Sequence, residues 1–283
     1  MALSETPVRR PTTNAQVVVF DESTGVSRRP DRVVTEEPLE IRVSGPNETP
    51  VPFAVTMRTT GIDFELAAGL CRSEGLVAGP DGLESIAYCL GGDGEQLYNV
   101  VTVQLRHPVA VRASERRFLA NSSCGICGKA ALDEVEQRGV APAKGPTVGA
   151  STVLALPDTL AEHQRIFGQT GGLHAAARFS ASGELLTVRE DVGRHNALDK
   201  LIGNAFLEQR LPLSDDVLLV SGRLSFELVQ KAAIGGIGVL CAVSAPSSLA
   251  VAAAEEFEQT IIGFVRDGRY NIYTRADRVD LAA

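Results

Sequence analysis

Between Val217 and Glu258 the chain runs twice through the same order: a short apolar stretch, a loop of small residues, and a stretch with helical spacing. Val217–Val220 leads through Ser221-Gly222-Arg223 into Ser225–Ile234, and Val239–Val243 leads through Ser244–Ser248 into Leu249–Glu258. A continuous apolar run suits a strand buried on both faces, and the helix that follows carries the chain back across the sheet. Two such units predict a layered α/β domain with a largely parallel sheet, because parallel neighbours need a crossover connection. Sheets of this kind bind ligands beyond the carboxyl ends of their strands. A further strand, Ile261–Val265, leads through Arg266–Arg269 to a last strand, Tyr270–Thr274. The loops Ser221–Ser225, Ser244–Ser248 and Arg266–Arg269 are therefore expected to converge.

Upstream, Pro157–Phe167 reads as a helix with proline in its first turn. Leu173–Ser180 and Leu185–Arg189 read as neighbouring strands joined at Ser182-Gly183, and Asn196–Glu208 as an amphipathic helix with Leu198, Leu201, Ile202 and Phe206 inward. The N-terminal part is α+β and β-rich. Its expected strands are Gln16–Phe20, Leu39–Val43, Val100–Leu105 and, weakened by Pro52, Val51–Thr56. Phe64–Arg72 reads as a helix opened by Asp63 and closed by Gly75. Gly139–Gly149 is rich in proline and glycine and reads as a linker. The expected organisation is a disordered tail over 1–15, a β-rich domain over 16–120, a mobile loop with a short helix (Ala130–Arg138) and linker over 121–149, and the layered domain over 150–283.

The chain has 283 residues and a net charge of −8, which argues against a general nucleic-acid binder. No apolar stretch is long enough for a membrane helix, and the start lacks the apolar core of a secretory signal. Five cysteines fit poorly with a complete disulfide framework, so a reducing cytoplasm is the expected location. Cys71, Cys89 and Cys241 lie in apolar surroundings and read as small core residues. Arg106, Arg112, Arg116, Arg117 and Lys129 outnumber the single acid, Glu115, across the same stretch. Such a run is either a solvated basic face or a mouth that attracts anions.

Ser122-Ser123-Cys124-Gly125-Ile126-Cys127-Gly128-Lys129 is the sharpest motif. Two thiols at this spacing can form a redox pair, half a zinc site, or a sulfur relay. Zinc wants about four ligands, and the histidines at 107, 163, 174 and 195 are scattered, so no metal is expected. A thioredoxin-like pair would open a helix after a strand, whereas these cysteines sit among glycine and serine. A relay needs a mobile thiol, and Gly125 and Gly128 supply mobility. The start of a following helix and Lys129 would both favour thiolate, the nucleophile.

Glu190-Asp191-Val192-Gly193-Arg194-His195-Asn196, ending in Asp199-Lys200, wedges polar residues between a strand and a helix. Asp191 or Asn196 could serve as an N-cap. Arg194 could grip phosphate, and His195 could hydrogen-bond or carry a proton. Ser221, Arg223, Ser244 and Ser247 lie in strand-to-helix loops, where serine hydroxyls and helix amino termini can make an anion site or simply cap helices. Phe264, Val265, Arg266, Asp267, Gly268 and Arg269 form a turn flanked by arginines.

The stretches SSCGICGK, TGGLHAA, EDVGRHNALDK, SGRLSFELVQKAA, SAPSSLA and GFVRDGRYNIYT resemble the FdhD/NarQ family of formate dehydrogenase accessory proteins, from about Val33 to Thr274. That resemblance implies a sulfurtransferase in which a cysteine desulfurase loads a persulfide sulfur on Cys124. The sulfur then becomes the sulfido ligand of the bis-molybdopterin guanine dinucleotide cofactor of formate dehydrogenase. The resemblance also implies cofactor contacts at Phe264–Arg269, a homodimer, the formate dehydrogenase catalytic subunit as partner, and a C-terminal domain similar to the cytidine deaminase fold. The zinc-binding pattern of deaminases is absent, so deamination is not implied. Two other readings remain: a chaperone that binds the cofactor without sulfur chemistry, and a zinc or redox dithiol protein using Cys124 and Cys127 together.

Overall fold

The structure, a computed structural model, describes residues 10–90, 98–109, 118–119 and 143–282. Cys124, Cys127, the basic residues 112, 116, 117 and 129, and the expected helix 130–138 lie outside the described residues.

The first element is a hairpin of β1 (Thr12–Asp21) and β2 (Gly25–Val34), antiparallel from end to end. Its turn is closed by Asp21, whose carboxylate accepts from the amides of Ser23 and Thr24 at 2.9 Å each. The Ser23 hydroxyl foremost, and then these amides, pull Asp21 down to about 2. Val18, Phe20 and Val26 on this hairpin remain exposed.

A five-stranded sheet follows, in the order β5 (Leu83–Tyr88), β6 (Val100–Leu105), β3 (Glu36–Ser44), β4 (Val51–Thr59), β7 (Phe118–Leu119). Pro52 is accommodated at a shift in register, where Ile41 faces Ala54 but Arg42 faces Pro52. Helix α1 (Asp63–Ser73) buries Leu66, Ala67 and Cys71 against Leu39, Ile41, Val43, Val101 and Val103. It ends as the sequence indicates: Gly75 takes φ +76°, and the amides of Gly75 and Leu76 reach the carbonyls of Arg72 and Cys71.

The C-terminal half begins with β8 (Val148–Gly149), α2 (Ala150–His163) and α3 (Phe167–Thr170). A six-stranded sheet then has the order β10 (Leu185–Asp191), β9 (His174–Ser180), β11 (Asp216–Val220), β12 (Val239–Ala242), β13 (Thr260–Arg266), β14 (Arg269–Ile272). Only β11–β12 and β12–β13 are parallel. The expected largely parallel sheet is therefore mixed, because β9–β10 and β13–β14 are joined by tight turns that permit only antiparallel pairing. On one face lie α4 (Arg194–Leu207), α5 (Phe226–Ile234) and α6 (Ser248–Glu256), packed on Leu218, Val220, Leu240 and Ala242. On the other, α2 places Val153, Leu156 and Leu160 on Ala177, Phe179, Val217 and Leu219. The alternation of Val217 and Leu219 with Leu218 and Val220 is that of a strand covered on both sides. The α/β class is as expected. A two-residue strand β15 (Val279–Asp280) pairs in parallel with β8.

One helix differs from the sequence expectation. It starts at Ala150 instead of Pro157, which lies in its interior. An interior proline removes one bond and costs about 3 kcal/mol. The continuous stripe of Val153, Leu156 and Leu160, each no more than 1% exposed, offsets this.

The two halves meet where α1 packs on α4. Gly69 and Gly203 permit the approach: a methyl group on either would lie 1.8 Å from the carbonyl oxygen of Asp199 or Glu65. Around them, Asp199 binds Lys231 at 2.9 Å and accepts from the Ser73 hydroxyl at 2.8 Å, while Arg189 forks onto Glu65. Within 143–149, part of the expected linker, Ala143 donates to the Phe257 carbonyl and Gly145 lies tight against Gly238. No described helix is long and apolar enough to cross a membrane.

Candidate functional site

Because β11, β12 and β13 run parallel, their carboxyl ends share one edge of the sheet. Strand β9 is antiparallel to β11, so its first residue, His174, starts at that edge. Strand β10 returns to the same edge, with Asp191 opposite His174, and hands the chain to α4 at Arg194. Topology thus gathers His174, Arg194, His195, Ser221–Ser225, Ser244–Ser247 and the β13–β14 turn.

The loops are fastened to one another. Leu224 donates to the Ala245 carbonyl at 3.2 Å, Ser247 donates to the Leu224 carbonyl at 2.9 Å, and Phe264 donates to the Ser244 carbonyl at 3.1 Å. Their serines divide in role. The Ser221 hydroxyl accepts from the Ala175 amide at 2.9 Å, and the Ser247 hydroxyl caps α6 by accepting from Ala250 at 3.2 Å. Ser225 occupies the N-cap position of α5 without making a cap bond, and its hydroxyl lies 3.2 Å from His195 Nε2 instead.

The motif around Asp191 also divides. Asp191 is fully buried, accepts from the amides of Thr59 and Gly193, and pairs with Lys200. Asn196 donates to the Met57 carbonyl at 2.8 Å and to Asp191 at 3.1 Å. The N-cap position of α4 is Gly193, with no side-chain cap bond. Asp191, Asn196 and Lys200 therefore fasten the turn to β4, and Arg194 and His195 are left at the edge. The Arg194 Nε is buried and has no hydrogen-bond partner among the described residues. Gly222 makes room beside it, since a methyl group there would lie 3.3 Å from His174 Nδ1 and 4.0 Å from Arg194 Cδ.

His195 Nε2 lies 2.9 Å from Glu227 Oε2. This hydrogen bond is the chief reason Glu227 is held below the usual carboxylate range. His174 is lowered, first by burial and then by Arg194 and His195. In the sequence the four histidines are scattered, and nothing marks Glu227. A glutamate in the first turn of a helix reads as ordinary dipole compensation, and only the pairing of β9 with β10 and β11 brings His174 to His195.

On the β13–β14 turn, Phe264, Asp267 and Gly268 take φ of +56°, +54° and +70°. Left-handed backbone at phenylalanine and aspartate is costly and concentrates at functional turns. The Arg266 guanidinium lies 5.5 Å over the Phe264 ring and Arg269 is exposed, whereas Val265 is fully buried in the core beneath the sheet. Arg223 is exposed. An open groove of about 470 Å³ lies instead at the far end of β10, bordered by Leu185, Asn204 and Arg210. Its charges are already paired, Arg189 with Glu65 and Arg210 with Glu208, so it offers less to an anion.

Burial pushes the thiols of Cys71 and Cys241 up to about 12, as their reading as core residues requires. Cys89 departs from that reading: it is half-buried, with Sγ 3.0 Å from the Thr102 hydroxyl, because the strand ends just before it. Among the described residues no three metal-ligating side chains converge.

Comparison with known proteins bears on this arrangement. A protein of Streptomyces coelicolor named sulfur carrier protein FdhD is 54% identical over 265 residues, 91% of this chain and 92% of its own length. One of the same name from Mycolicibacterium paratuberculosis is 53% identical over 257 residues, 89% and 93% of the two chains. A protein of that name from Sulfurisphaera tokodaii is 45% identical over 249 residues, 88% and 92% of the two chains. A crystal structure assigned to the formate dehydrogenase accessory proteins, from Desulfotalea psychrophila, superposes with a TM-score of 0.73 at 21% identity, covering 96% of this chain and all of that one, and so shares the fold. The family model described as FdhD/NarQ matches residues 34–280, and the chain belongs to the FdhD/NarQ family.

Proposed function

We propose that this chain is a sulfur carrier serving formate dehydrogenase, with Cys124 as the sulfur-bearing residue. The observation that carries the reading is identity above half, across about nine-tenths of both chains, to relatives named as sulfur carriers. A thiolate at Cys124 attacks the outer sulfur of a persulfide on a cysteine desulfurase. The donor's S–S bond breaks, its cysteine leaves as thiolate, and Cys124 holds the persulfide with no net oxidation. Inert thiols at Cys71 and Cys241 keep that chemistry away from the core.

The acceptor, in this reading, is the bis-molybdopterin guanine dinucleotide of the client's catalytic subunit, presented at the carboxyl edge of the six-stranded sheet. The Arg194 Nε, which no described residue satisfies, suits a phosphate-bearing ligand. Arg266 and Arg269 add positive charge at the rim. The test is mass spectrometry after incubation with a cysteine desulfurase and free cysteine. One added sulfur is expected on the Cys124 peptide, with none in Cys124→Ala. Equal loading of wild type and variant would overturn the assignment.

A further inference from the structure

The ribbon of β1 and β2 is tied to the rest of the molecule at its root. The Thr60 hydroxyl donates to the Arg10 carbonyl at 3.2 Å, Arg32 donates to the Gln169 side chain at 2.7 Å, and Gly172 lies tight against Val34. Toward the turn, Phe20 faces Val26 and Val18 faces Arg28 across the ladder, so these four share one face. Val18, Phe20 and Val26 are 63%, 76% and 71% exposed. A two-stranded ribbon is marginal by itself in water, and an apolar cluster left bare on it calls for cover. Nearly all of the ribbon precedes residue 34, where the family match begins.

Charge and size decide what covers it. Arg28 and Arg29 are exposed and make no ion pair among the described residues. A complementary surface lies on α2, where Leu154, Ala155, Asp158 and Glu162 form an exposed stripe at helical spacing. Neither acid is ion-paired among the described residues. Only residues 164–166 separate α2 from α3, on which the ribbon is rooted, so the basic and acidic surfaces are neighbours on one molecule. Each can then meet the other across a two-fold axis. A ribbon of ten-residue strands is ~34 Å long and ~10 Å wide, so one face offers ~340 Å². Seated once, it buries ~700 Å² over both surfaces, which is the size of a chance contact; exchanged twice, it buries ~1,400 Å², which is that of a stable complex. We propose that two copies of this chain exchange ribbons, with Val18, Phe20, Val26 and Arg28 of one copy seated on the α2 stripe of the other. The family resemblance implies a homodimer without assigning its surface, and the ribbon supplies one. Asp21 and Glu22 at the tip set an anionic lipid surface aside as the occupant.

The test is sedimentation equilibrium of the full chain. Phe20→Ser removes the apolar anchor, Arg28→Glu with Arg29→Glu reverses the ribbon, and Asp158→Lys with Glu162→Lys reverses the stripe. All five side chains are exposed, and circular dichroism matching wild type checks each fold. Wild type should dimerise, and each variant should raise the dimer dissociation constant about tenfold or more. Mixed in equal amounts, the ribbon-reversed and stripe-reversed chains should form a heterodimer, because both contacts regain opposite charges. A monomeric wild type, a dimer that survives any of the three changes, or folded variants that fail to associate on mixing overturns the exchange. A monomeric wild type that floats with phosphatidylglycerol vesicles, and loses this in Phe20→Ser, gives the ribbon to lipid instead.

Discussion

Asp191 and Lys200 form an ion pair in which neither side chain is exposed to water, and both also hold Thr59 of β4. The Lys200 ammonium donates to the Thr59 carbonyl at 2.9 Å, and the Thr59 amide donates to Asp191 at 3.1 Å. The pair therefore fastens the β10–α4 turn, which carries Arg194 and His195, to the N-terminal sheet.

Removing one partner should cost far more than the pair contributes. Lys200→Met would leave a buried carboxylate without its counterion, and such losses run to about 3–5 kcal/mol. Urea unfolding should show this loss, and Asp191→Asn combined with Lys200→Met should cost less than the two singles added. Additive costs would mean that the two residues act separately.

The contact between α1 and α4 predicts opposite signs for one kind of substitution. Alanine is the better helix former by roughly 0.5–1 kcal/mol, so Gly→Ala in a helix should stabilise where space allows. Away from that contact, at Gly168 in the one-turn helix α3, nothing lies within 4 Å of the added methyl, and a small gain is expected. At Gly203 the methyl would lie 1.8 Å from the Glu65 carbonyl oxygen, so the helices must separate, at a cost of about 1–3 kcal/mol or more. Thermal denaturation of the two variants should move in opposite directions.

The elements read correctly are those whose apolar spacing decides their burial. Leu198, Leu201, Ile202 and Phe206 repeat at helical spacing and are all buried. Strand β2 was not legible, because Arg28, Arg29, Pro30, Asp31 and Arg32 carry no strand signal and the strand is held by backbone pairing to β1. At the site, Arg194 and His195 were legible as polar residues crowded between a strand and a helix. Their division from Asp191, Asn196 and Lys200 was not, since which side chains turn inward depends on the position of β4, over 130 residues earlier. Glu227 was invisible for the same reason: its partner comes from another helix.

His174 gives a stability that depends on pH. Burial, Arg194 and His195 lower its folded pKa below the value of 6.5 taken for the unfolded chain. Between those two values the unfolded state binds more protons, so stability is full above about pH 6.5 and falls as pH drops through that window. One such group changes stability by at most about 1.4 kcal/mol per pH unit. Urea midpoints of wild type should therefore fall between neutral pH and about pH 5 more steeply than those of His174→Asn. Parallel curves would show that His174 titrates alike in both states.

Arg269 and Arg194 should contribute unequally to anion binding. Arg269 is exposed on the β13–β14 turn beyond Asp267 and Gly268, so water and salt screen its charge. Arg194 is half-buried beside Gly222 and His174, with a buried Nε that no described residue satisfies. A ligand oxygen on that Nε would form a charge-assisted hydrogen bond at a site already stripped of water. Arg194→Gln should then weaken binding of guanosine diphosphate by about 1.5–3 kcal/mol. Arg269→Ala should weaken it by about 0.5–1 kcal/mol at low salt, and less as salt is added. Sulfur loading on Cys124, as proposed, should survive both changes, because the proposed thiol exchange uses neither arginine. Calorimetry at two ionic strengths, with mass spectrometry of the same samples, separates the outcomes. If Arg269→Ala is the more damaging and its effect resists salt, the ligand sits on the turn, with Phe264 and Arg266 as its floor, and Arg194 serves the fold.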